Sequence, residues 1–300
     1  MISEKKQKFS QTNIDNRQKG IICIIIAALG FAFMNLFIKL SGDLPVFEKA
    51  FFRNLIAAFV ALFIMLRNKI PFSTGDGGLK YLILRSLFGT LGIFANFYAI
   101  GMINISDAAM LNKLSPFFAI VFSIFLLKEK PKSYQVLCVI AAILGSVFIL
   151  KPTGDILSSF PAFMGLLSGA FAGLAYTYVR LCSFKKVPGP VIVLFFSVFS
   201  CISCIPLMLI DFKPMSAIQL IYLILTGVSA SIGQIFITKA YTYSPAAEIS
   251  VYDYTNILFA AVLGMIFLGE FPDIISIAGY FVIIGAGVFM FFMNRKRVAT

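Results

Sequence analysis

The stretch LKYLIL at residues 79–84 recurs as LIYLIL at residues 220–225, which lie 141 positions further along the chain. The stretch FLLKEKP at 125–131 recurs as IFLGEFP at 266–272, again 141 positions further. Glycine and alanine positions between these stretches repeat at the same distance, and no gap has to be introduced. One offset that holds over most of the chain indicates that a single unit has been duplicated.

Composition identifies the medium in which this unit folds. Apolar residues make up 60% of the chain and charged residues 13%, against about 45–50% and about 25% in soluble domains. Apolar runs of about 20 residues recur, and a helix of that length spans about 30 Å of hydrocarbon. The lipid bilayer is therefore a predicted partner. The net charge of +12 is spread in short basic clusters between the apolar runs, so no nucleic-acid partner is predicted.

The pattern predicts an all-α membrane protein with ten transmembrane helices. The predicted helices are Gly20–Leu40, Phe47–Leu66, Leu79–Gly101, Asp107–Leu127, Ser133–Leu150, Pro161–Arg180, Gly189–Ile210, Ala217–Lys239, Pro245–Leu268 and Ile274–Met293. Residues 20–151 form the first five-helix repeat and residues 161–293 the second, between tails at 1–19 and 294–300. Because five is odd, the second repeat must enter the membrane from the opposite side, so the repeats are predicted to be inverted.

The distribution of Lys and Arg predicts how the helices are oriented. If the N-terminus lies in the cytoplasm, 18 Lys and Arg residues fall on the cytoplasmic side and four on the other side. Cytoplasmic loops of membrane proteins carry such an excess of basic residues. Both tails are therefore predicted to be cytoplasmic, in a multi-pass protein of the cell inner (plasma) membrane.

Inverted repeats are typical of secondary transporters, whose halves rock around a substrate site near the middle of the membrane. The chain contains no histidine and no ATP-binding P-loop. We therefore predict no metal site, no cofactor, no enzymatic activity and no primary pumping. A channel and a lipid scramblase are competing classes. A carrier can be told from a channel because substrate on the opposite side of the membrane stimulates exchange by a carrier but not flux through a channel.

Three short motifs add a family resemblance. FFRN at 51–54, LLKEKP at 126–131 and LGEFP at 268–272 resemble, in their order and spacing, the EamA-type members of the drug/metabolite transporter superfamily. The resemblance covers residues 20–293. It implies ten helices with cytoplasmic termini and a central cavity lined by helices 1, 3, 4, 6, 8 and 9. Helices 5 and 10 would then serve as scaffold or as the surface of a homodimer.

The resemblance does not fix a small-molecule substrate, because members of the superfamily move amino acids, amines, purines, sugars, S-adenosylmethionine and drugs. The predicted function is alternating-access transport of a small polar metabolite that is an amino acid or bears an amine. Export and S-adenosylmethionine transport are forms that this function can take. The alternatives are export of drugs or cationic compounds, and flipping of lipid-linked cargo.

A carboxylate inside predicted helix 9 marks the candidate substrate site. Asp253 would cost roughly 3 kcal/mol at the centre of a membrane helix unless it faced a cavity or a partner. The 141-residue offset pairs it with Asn112 in helix 4, and Asn256 continues the same face of helix 9. Lys113 supplies the opposite charge. Lys113 and Asp253 either bind a zwitterionic substrate, pairing with each other when the site is empty, or form a salt bridge that only fixes helix packing.

Further polar and aromatic candidates lie on the predicted cavity helices. They are Asn35, Asn96, Gln234, Tyr98, Tyr176 and Tyr252. The amides either contact substrate or bond one helix to another. The tyrosines either stack on a substrate or bind its ammonium group by cation–π contact, or they lie at the membrane interface.

Five further charges are candidates for gates or structural contacts. Arg53 lies close to Glu48 in helix 2, which predicts an ion pair at the external mouth. Arg85 lies inside helix 3 and, like Arg53, can extend its side chain towards the membrane surface. Glu129 and Glu270 occupy matching positions after helices 4 and 9, where they are predicted to cap the next helices first and to act as gates second.

Overall fold

A computed structural model of the chain describes residues 2–151, 156–243 and 250–298. Within these ranges the chain forms eleven α-helices and one 3₁₀ turn, and no β-strand. They are α1 (Ile2–Leu40), α2 (Val46–Arg67), α3 (Leu79–Met102), α4 (Ile105–Asn112), α5 (Ser115–Leu126), α6 (Ser133–Leu150), α7 (Ile156–Phe184), α8 (Gly189–Ile210), α9 (Ala217–Tyr243), the 3₁₀ turn (Ser250–Tyr254), α10 (Thr255–Leu268) and α11 (Ile274–Val298). Ten segments are long and apolar enough to span a membrane, which confirms the predicted all-α, ten-span fold.

The fourth and ninth spans are each built from two pieces. α4 and α5 together form the fourth span, and the 3₁₀ turn and α10 form the ninth. The prediction of one continuous helix at Asp107–Leu127 is therefore wrong. The helix predicted at Pro245–Leu268 becomes α-helical only from Thr255, and its residues 245–249 lie outside the described residues. The first helix begins earlier than predicted. α1 starts at Ile2 and not at Gly20, so most of the predicted N-terminal tail is helical.

The interruption of the fourth span follows from Pro116. Proline has no N–H, and its ring collides with the carbonyl group four residues earlier, which belongs to Asn112. α4 therefore ends at Asn112 and α5 begins at Ser115, with Pro116 in its first turn, where a missing N–H is tolerated. Irregular backbone at membrane depth persists only where protein or a cavity covers it. The interruption must therefore face the interior of the protein.

The helices pack mainly across the two repeats. α1 packs against α9, α3 against α7, α2 against α8, and α6 against α11. Under the repeat offset, the pair of α1 and α9 corresponds to the pair of α7 and α3. The pair of α2 and α8 and the pair of α6 and α11 each correspond to themselves, because each joins equivalent helices of the two repeats. The contacts of α5 with α7 and of α10 with α1 are related in the same way. Each repeat therefore completes its core only with the other one, and the two repeats are not independent domains.

Two glycines allow α7 to approach the interruption of the fourth span. A Cβ atom on Gly169 would lie 2.5 Å from the carbonyl oxygen of Leu111, and one on Gly173 would lie 2.7 Å from that of Ser115. Real Cβ atoms essentially never come this close to another heavy atom, so only glycine permits these contacts. Small residues let membrane helices pack closely. Here they let α7 cover the backbone where α4 ends and α5 begins.

The final helices of the two repeats are joined by Lys151 and Asp273. Lys151 follows α6 and forms an ion pair with Asp273, which precedes α11. The other carboxylate oxygen of Asp273 accepts the N–H groups of Ile275 and Ser276 at 3.0 Å each. The hydrogen bond from Lys151 and these helix N–H donors hold the pKa of Asp273 below its ordinary value. The charged carboxylate therefore stabilises the fold, and this contribution is lost as pH falls through the lowered pKa.

Replacing Gly169 with alanine should destabilise the protein, because the new Cβ would collide with the carbonyl oxygen of Leu111. Gly285→Ala is the matched control, because a Cβ there meets nothing within 4 Å. Alanine is also favoured over glycine inside a helix by roughly 0.5–1 kcal/mol. Thermal unfolding in detergent should show a lower midpoint for Gly169→Ala and an unchanged or higher midpoint for Gly285→Ala. Equal midpoints for the two variants would contradict the close approach of α7.

Candidate functional site

The two interrupted spans bring the candidate charges together. Lys113 directly follows α4, and Asp253 lies in the 3₁₀ turn that precedes α10. Their side chains form an ion pair in which Lys113 Nζ lies 2.6 Å from Asp253 Oδ2. The two side chains keep 16% and 21% of their surface exposed. The pair is thus shielded from bulk solvent but not sealed inside the core.

The helix ends around this ion pair favour its charges and leave one acceptor available. The C-terminal end of a helix carries partial negative charge, so the end of α4 favours the ammonium group of Lys113. On the other side, Asp253 Oδ1 is buried and has no hydrogen-bond partner among the described residues. A carboxylate oxygen in this state is a position where an N–H group of a ligand can bind.

Asn112 and Asn256 fasten the interrupted spans to their neighbours. Asn112 Nδ2 donates to Ser168 Oγ on α7 at 3.1 Å. Asn256 Nδ2 donates to the carbonyl oxygen of Ala28 on α1 at 2.8 Å. α1 and α7 carry the first span of each repeat, so the two bonds serve equivalent spans. These contacts show both amides bonding one helix to another at the edge of the site.

Two other predicted amides keep an unpartnered oxygen inside the protein. Asn35 on α1 and Asn96 on α3 are buried, and the Oδ1 atom of each has no hydrogen-bond partner among the described residues. Buried polar atoms without a hydrogen-bond partner are rare in folded proteins. A ligand, a water molecule or a change of conformation can supply the missing hydrogen bond. Both therefore stay predicted substrate contacts.

The remaining candidates lie on four different helices or turns. Tyr98 meets the ring of Phe160 edge-on, with the centroids 5.7 Å apart. Tyr252 packs partly buried beside a small apolar cluster of α1 and α9. Tyr176 is 57% exposed although it lies inside the sixth span. Gln234 lies on α9 beside the glycine that packs against α1.

Two ion pairs occupy equivalent positions at opposite ends of the spans. Lys39 Nζ lies 2.7 Å from Glu270 Oε1, and Arg180 Nη2 lies 2.7 Å from Glu129 Oε1. The 141-residue offset converts Lys39 into Arg180 and Glu129 into Glu270. Each pair joins one repeat to the other. Each end of the protein therefore has its own ionic contact between the repeats.

The pair of Lys39 and Glu270 is the more buried of the two and makes further hydrogen bonds among the described residues. Lys39 also donates to the carbonyl oxygen of Ile103 at 2.6 Å, and Glu270 Oε2 accepts the N–H of Ile105 at 2.8 Å. The ion-paired side chains are 19% and 15% exposed, against 53% and 39% in the other pair. The prediction that Glu270 caps the next helix is wrong, because Asp273 caps α11 and Glu270 reaches across to the start of α4.

The opposite end contains a cavity of about 220 Å³. It is lined by Ala119, Ile120, Ser123, Glu129, Lys130, Pro131, Gln135 and Arg180. The side chain of Gln135 caps α6, so the predicted capping role of Glu129 is also wrong, and Glu129 binds Arg180 instead. The two terminal ion pairs thus differ in burial, and the cavity lies beside the more exposed one.

Glu48 and Arg53 do not form the predicted ion pair. Glu48 is fully buried, and its Oε1 accepts the N–H of Lys213 at 2.8 Å. Arg53 donates to Asn54 Oδ1 at 2.6 Å. Five residues along an α-helix rotate a side chain by about 140°. Glu48 and Arg53 therefore point to different sides of α2, and the prediction of a gate between them is wrong.

Arg53 and Arg85 converge instead on the ring of Phe196 in α8. The guanidinium carbon of Arg53 lies 5.8 Å from the ring centroid, and that of Arg85 lies 3.7 Å from it. Guanidinium groups are attracted to the faces of aromatic rings at such distances. Phe196 is not among the predicted residues, because it is one of 34 phenylalanines and no spacing distinguishes it from the others.

Ten spans in two interlocked repeats define a membrane transporter of the inverted-repeat class, with a charge pair at two interrupted spans and an ion pair at each end. The chain belongs to the EamA-like transporter family, whose model matches residues 18–151 and again residues 159–293. The two matches coincide with the two repeats. The family resemblance inferred from the short motifs is thereby confirmed.

Known proteins align with nearly the whole chain. It is 32% identical over 275 residues to the pseudopaline exporter CntI of Pseudomonas aeruginosa (strain UCBPP-PA14), covering 91% of this chain and 96% of the relative. It is 22% identical over 286 residues to an S-adenosylmethionine uptake transporter of Rickettsia prowazekii (strain Madrid E), covering 94% and 95%. A crystal structure with 18% identity covers 90% of this chain with a TM-score of 0.60 and shares the fold. The protein is therefore a small-metabolite membrane transporter.

Exchanging the charges of one terminal ion pair tests its contribution. Lys39→Glu should lower the unfolding midpoint, because it places two carboxylates side by side, and adding Glu270→Lys should restore part of the loss. Breaking a fully buried pair costs about 3–5 kcal/mol, and this partly exposed pair should lose less. Arg180→Glu is the matched comparison and should lower the midpoint less, because its pair is 53% and 39% exposed. A double variant less stable than Lys39→Glu would contradict the ionic contact.

Proposed function

We propose that this transporter moves an amine-bearing polar metabolite, such as an amino acid, by alternating access, and that Lys113 and Asp253 form its substrate site. The observation that carries the proposal is the 2.6 Å ion pair between these side chains at the interruptions of two equivalent spans. The two residues belong to different repeats. A movement of one repeat against the other therefore changes the distance between the charges and couples the site to the conformation.

A zwitterion can replace this ion pair without leaving a charge unpaired. Its carboxylate would accept hydrogen bonds from Lys113, and its ammonium group would donate to Asp253, whose Oδ1 atom is a second available acceptor. A ligand with only one charge would leave either Lys113 or Asp253 buried without a partner, which is strongly unfavourable. The pair therefore favours substrates that carry both charges, and it remains internally neutralised when no substrate is bound.

The two terminal ion pairs are proposed to act as alternating gates. In the conformation described here, the pair of Lys39 and Glu270 is the more buried one, and the cavity lies at the other end. Inversion of the repeats means that the opposite conformation would exchange these roles, with Arg180 and Glu129 becoming the buried pair. The charge exchange at Lys39 and Glu270 tests this role as well, because it should alter transport without changing which ligands bind.

Export is proposed as the direction of transport, and the support for it is the 32% identity to a relative named as an exporter. Relatives named as transporters also support transport rather than an enzymatic role. The excess of Lys and Arg on one side supports a cell inner membrane location with both termini in the cytoplasm. The more buried pair of Lys39 and Glu270 would then lie on the outer side of the membrane, and the cavity beside Arg180 and Glu129 on the cytoplasmic side.

Thiol labelling of intact cells tests this orientation with two matched variants. Asp76→Cys lies in the loop between α2 and α3 and should resist a membrane-impermeant thiol reagent, whereas Asp211→Cys after α8 should react. Both positions are exposed, and all five native cysteines are buried, so the background should be low. Labelling of Asp76→Cys but not of Asp211→Cys would reverse the proposed orientation.

Asp253→Asn should abolish the binding and transport of amine-bearing ligands while the fold is kept, because asparagine already occupies the equivalent position 112. Charge-assisted hydrogen bonds are roughly twice as strong as neutral ones. Thermal-shift screening of the purified protein against amino acids, amines, nucleosides and S-adenosylmethionine should identify stabilising ligands. Counterflow of the best ligand into proteoliposomes should then be lost in Asp253→Asn.

The control for this experiment is Asp76→Asn, which removes a carboxylate from an exposed loop and should leave ligand binding and counterflow unchanged. An Asp253→Asn protein that binds and exchanges the ligand like the unmodified protein would show that the Lys113–Asp253 pair is structural. Ligand-dependent flux without stimulation by substrate on the opposite side would indicate a channel instead of a carrier.

A further inference from the structure

Besides the Lys113–Asp253 pair, Arg53 and Arg85 form a second cluster of charged side chains inside the spans, around Phe196. Arg53 comes from α2 and Arg85 from α3, and both guanidinium groups lie against the same ring of α8. Within the described residues, neither arginine forms an ion pair with a carboxylate. Two like charges at neighbouring positions in a medium of low dielectric repel each other. The aromatic ring alone does not remove that repulsion, which a bound anion would relieve.

Several N–H donors of the two guanidinium groups also lack a hydrogen-bond partner. Arg53 Nε and Arg85 Nε and Nη1 are shielded from solvent and have no hydrogen-bond partner among the described residues. The bond that Arg53 makes goes to its neighbour Asn54. Buried donors without partners are unfavourable, and more so when they are charged. Three such donors in one place form a set that a carboxylate could satisfy, because guanidinium N–H groups match carboxylate oxygens in geometry.

The positions of the arginines exclude the ordinary arrangement in which each side chain extends to the nearer membrane surface. Arg53 lies about 10 Å from the start of α2 and Arg85 about 9 Å from the start of α3. These two helix starts lie at opposite ends of consecutive, antiparallel spans. Extension towards the surface would therefore separate the two charges. Instead they converge on one ring.

Close packing holds the guanidinium group of Arg85 against the Phe196 ring, and Tyr176 lies near both arginines. A Cβ atom on Gly89, one turn beyond Arg85, would lie 2.7 Å from Arg85 Nη1 and 2.9 Å from the Phe196 ring, so glycine makes the space that the guanidinium occupies. Tyr176 of α7 is an electrostatic neighbour of both arginines and is 57% exposed. Its hydroxyl group can add a further donor beside an anion.

We propose that Arg53 and Arg85 form an anion subsite, with Tyr176 beside it, for a carboxylate group of the transported metabolite. The inference rests on the proposed transport function and extends it. The substrate would carry an acidic group in addition to the charges held by Lys113 and Asp253. Among these four ionisable side chains three are cationic, so an additional carboxylate reduces their net charge from +2 to +1. The substrate class is thus an acidic amino acid.

Matched acid and amide ligands test the subsite on the purified full-length protein. Glutamate and glutamine, and aspartate and asparagine, differ in one carboxylate and otherwise share their amino acid groups. Isothermal titration and thermal shift should show that the acids bind the unmodified protein about tenfold or more tightly than the amides, since hydrogen bonds between charged groups contribute most. Absence of any preference for the acids overturns the proposal, whatever the affinity.

Substitutions then assign the preference to the arginines. Arg53→Gln or Arg85→Gln should remove the advantage of the acids and leave the affinity for the amides unchanged, whereas Asp253→Asn should weaken binding of both. Arg67→Gln, at the exposed end of α2, is the control and should keep the preference. Arg85→Lys keeps the charge inside the protein if the glutamine variant does not fold, and it should still lose most of the preference, because lysine cannot bind a carboxylate bidentately.

The outcomes separate this inference from the proposed function. If the arginine variants keep the preference for acids while Asp253→Asn loses binding, the anion subsite is refuted and the transport site stands. If the arginine variants lose the preference and Asp253→Asn binds normally, the subsite stands and the role of Asp253 is refuted. Inorganic sulfate that stabilises the unmodified protein as much as glutamate would assign the arginines to a free anion, which also overturns the substrate carboxylate.

Discussion

The Lys113 ammonium group and the Asp253 carboxylate meet where two spans from different repeats are interrupted, and most of the surrounding structure makes that contact possible. A charge inside a membrane span is tolerated when it has a partner and a polar environment. Gly169 and Gly173 bring α7 against the interruption of the fourth span, and Asn112 and Asn256 bond the two interrupted spans to α7 and α1. The pair thus lies between helices that are bonded to one another, and its side chains keep 16% and 21% of their surface exposed.

The twofold relation between the repeats places an equivalent ion pair at each end of the protein, but the two pairs are buried to different extents. The same ionic contact joins the repeats at each end, yet the pair of Lys39 and Glu270 is covered while the pair of Arg180 and Glu129 lies beside a cavity. A protein built from two equivalent halves has two equivalent ways to be asymmetric. The conformation described here is one of them, and the proposed exchange of roles between the two ion pairs would give the other without any new type of contact.

Sequence predicted the ten spans and the repeat, because hydropathy and one constant offset determine both. It also placed Lys113 and Asp253 as partners, since opposite charges inside spans have few alternatives. It failed at Glu48 and Arg53, which are close along α2 but point to different sides of it. Phe196 could not be singled out, because only the packing of α8 against α2 and α3 distinguishes it from the other phenylalanines. The interruptions of the fourth and ninth spans could not be predicted from hydropathy either. Pro116 was the one residue that indicated the break in the fourth span.

The packing of each helix mainly against the other repeat has a consequence for biosynthesis. When the ribosome has completed the first five spans, the partners of α1, α2 and α3 have not yet been made. Arg53, Arg85 and Lys113 would at that stage be in or near the lipid without Phe196 or Asp253 to receive them. The nascent first half must therefore be sheltered by the insertion machinery, or stay near the membrane surface, until the second half arrives. The charges of the first half that are proposed to bind substrate are thus also groups that must wait for their partners during assembly.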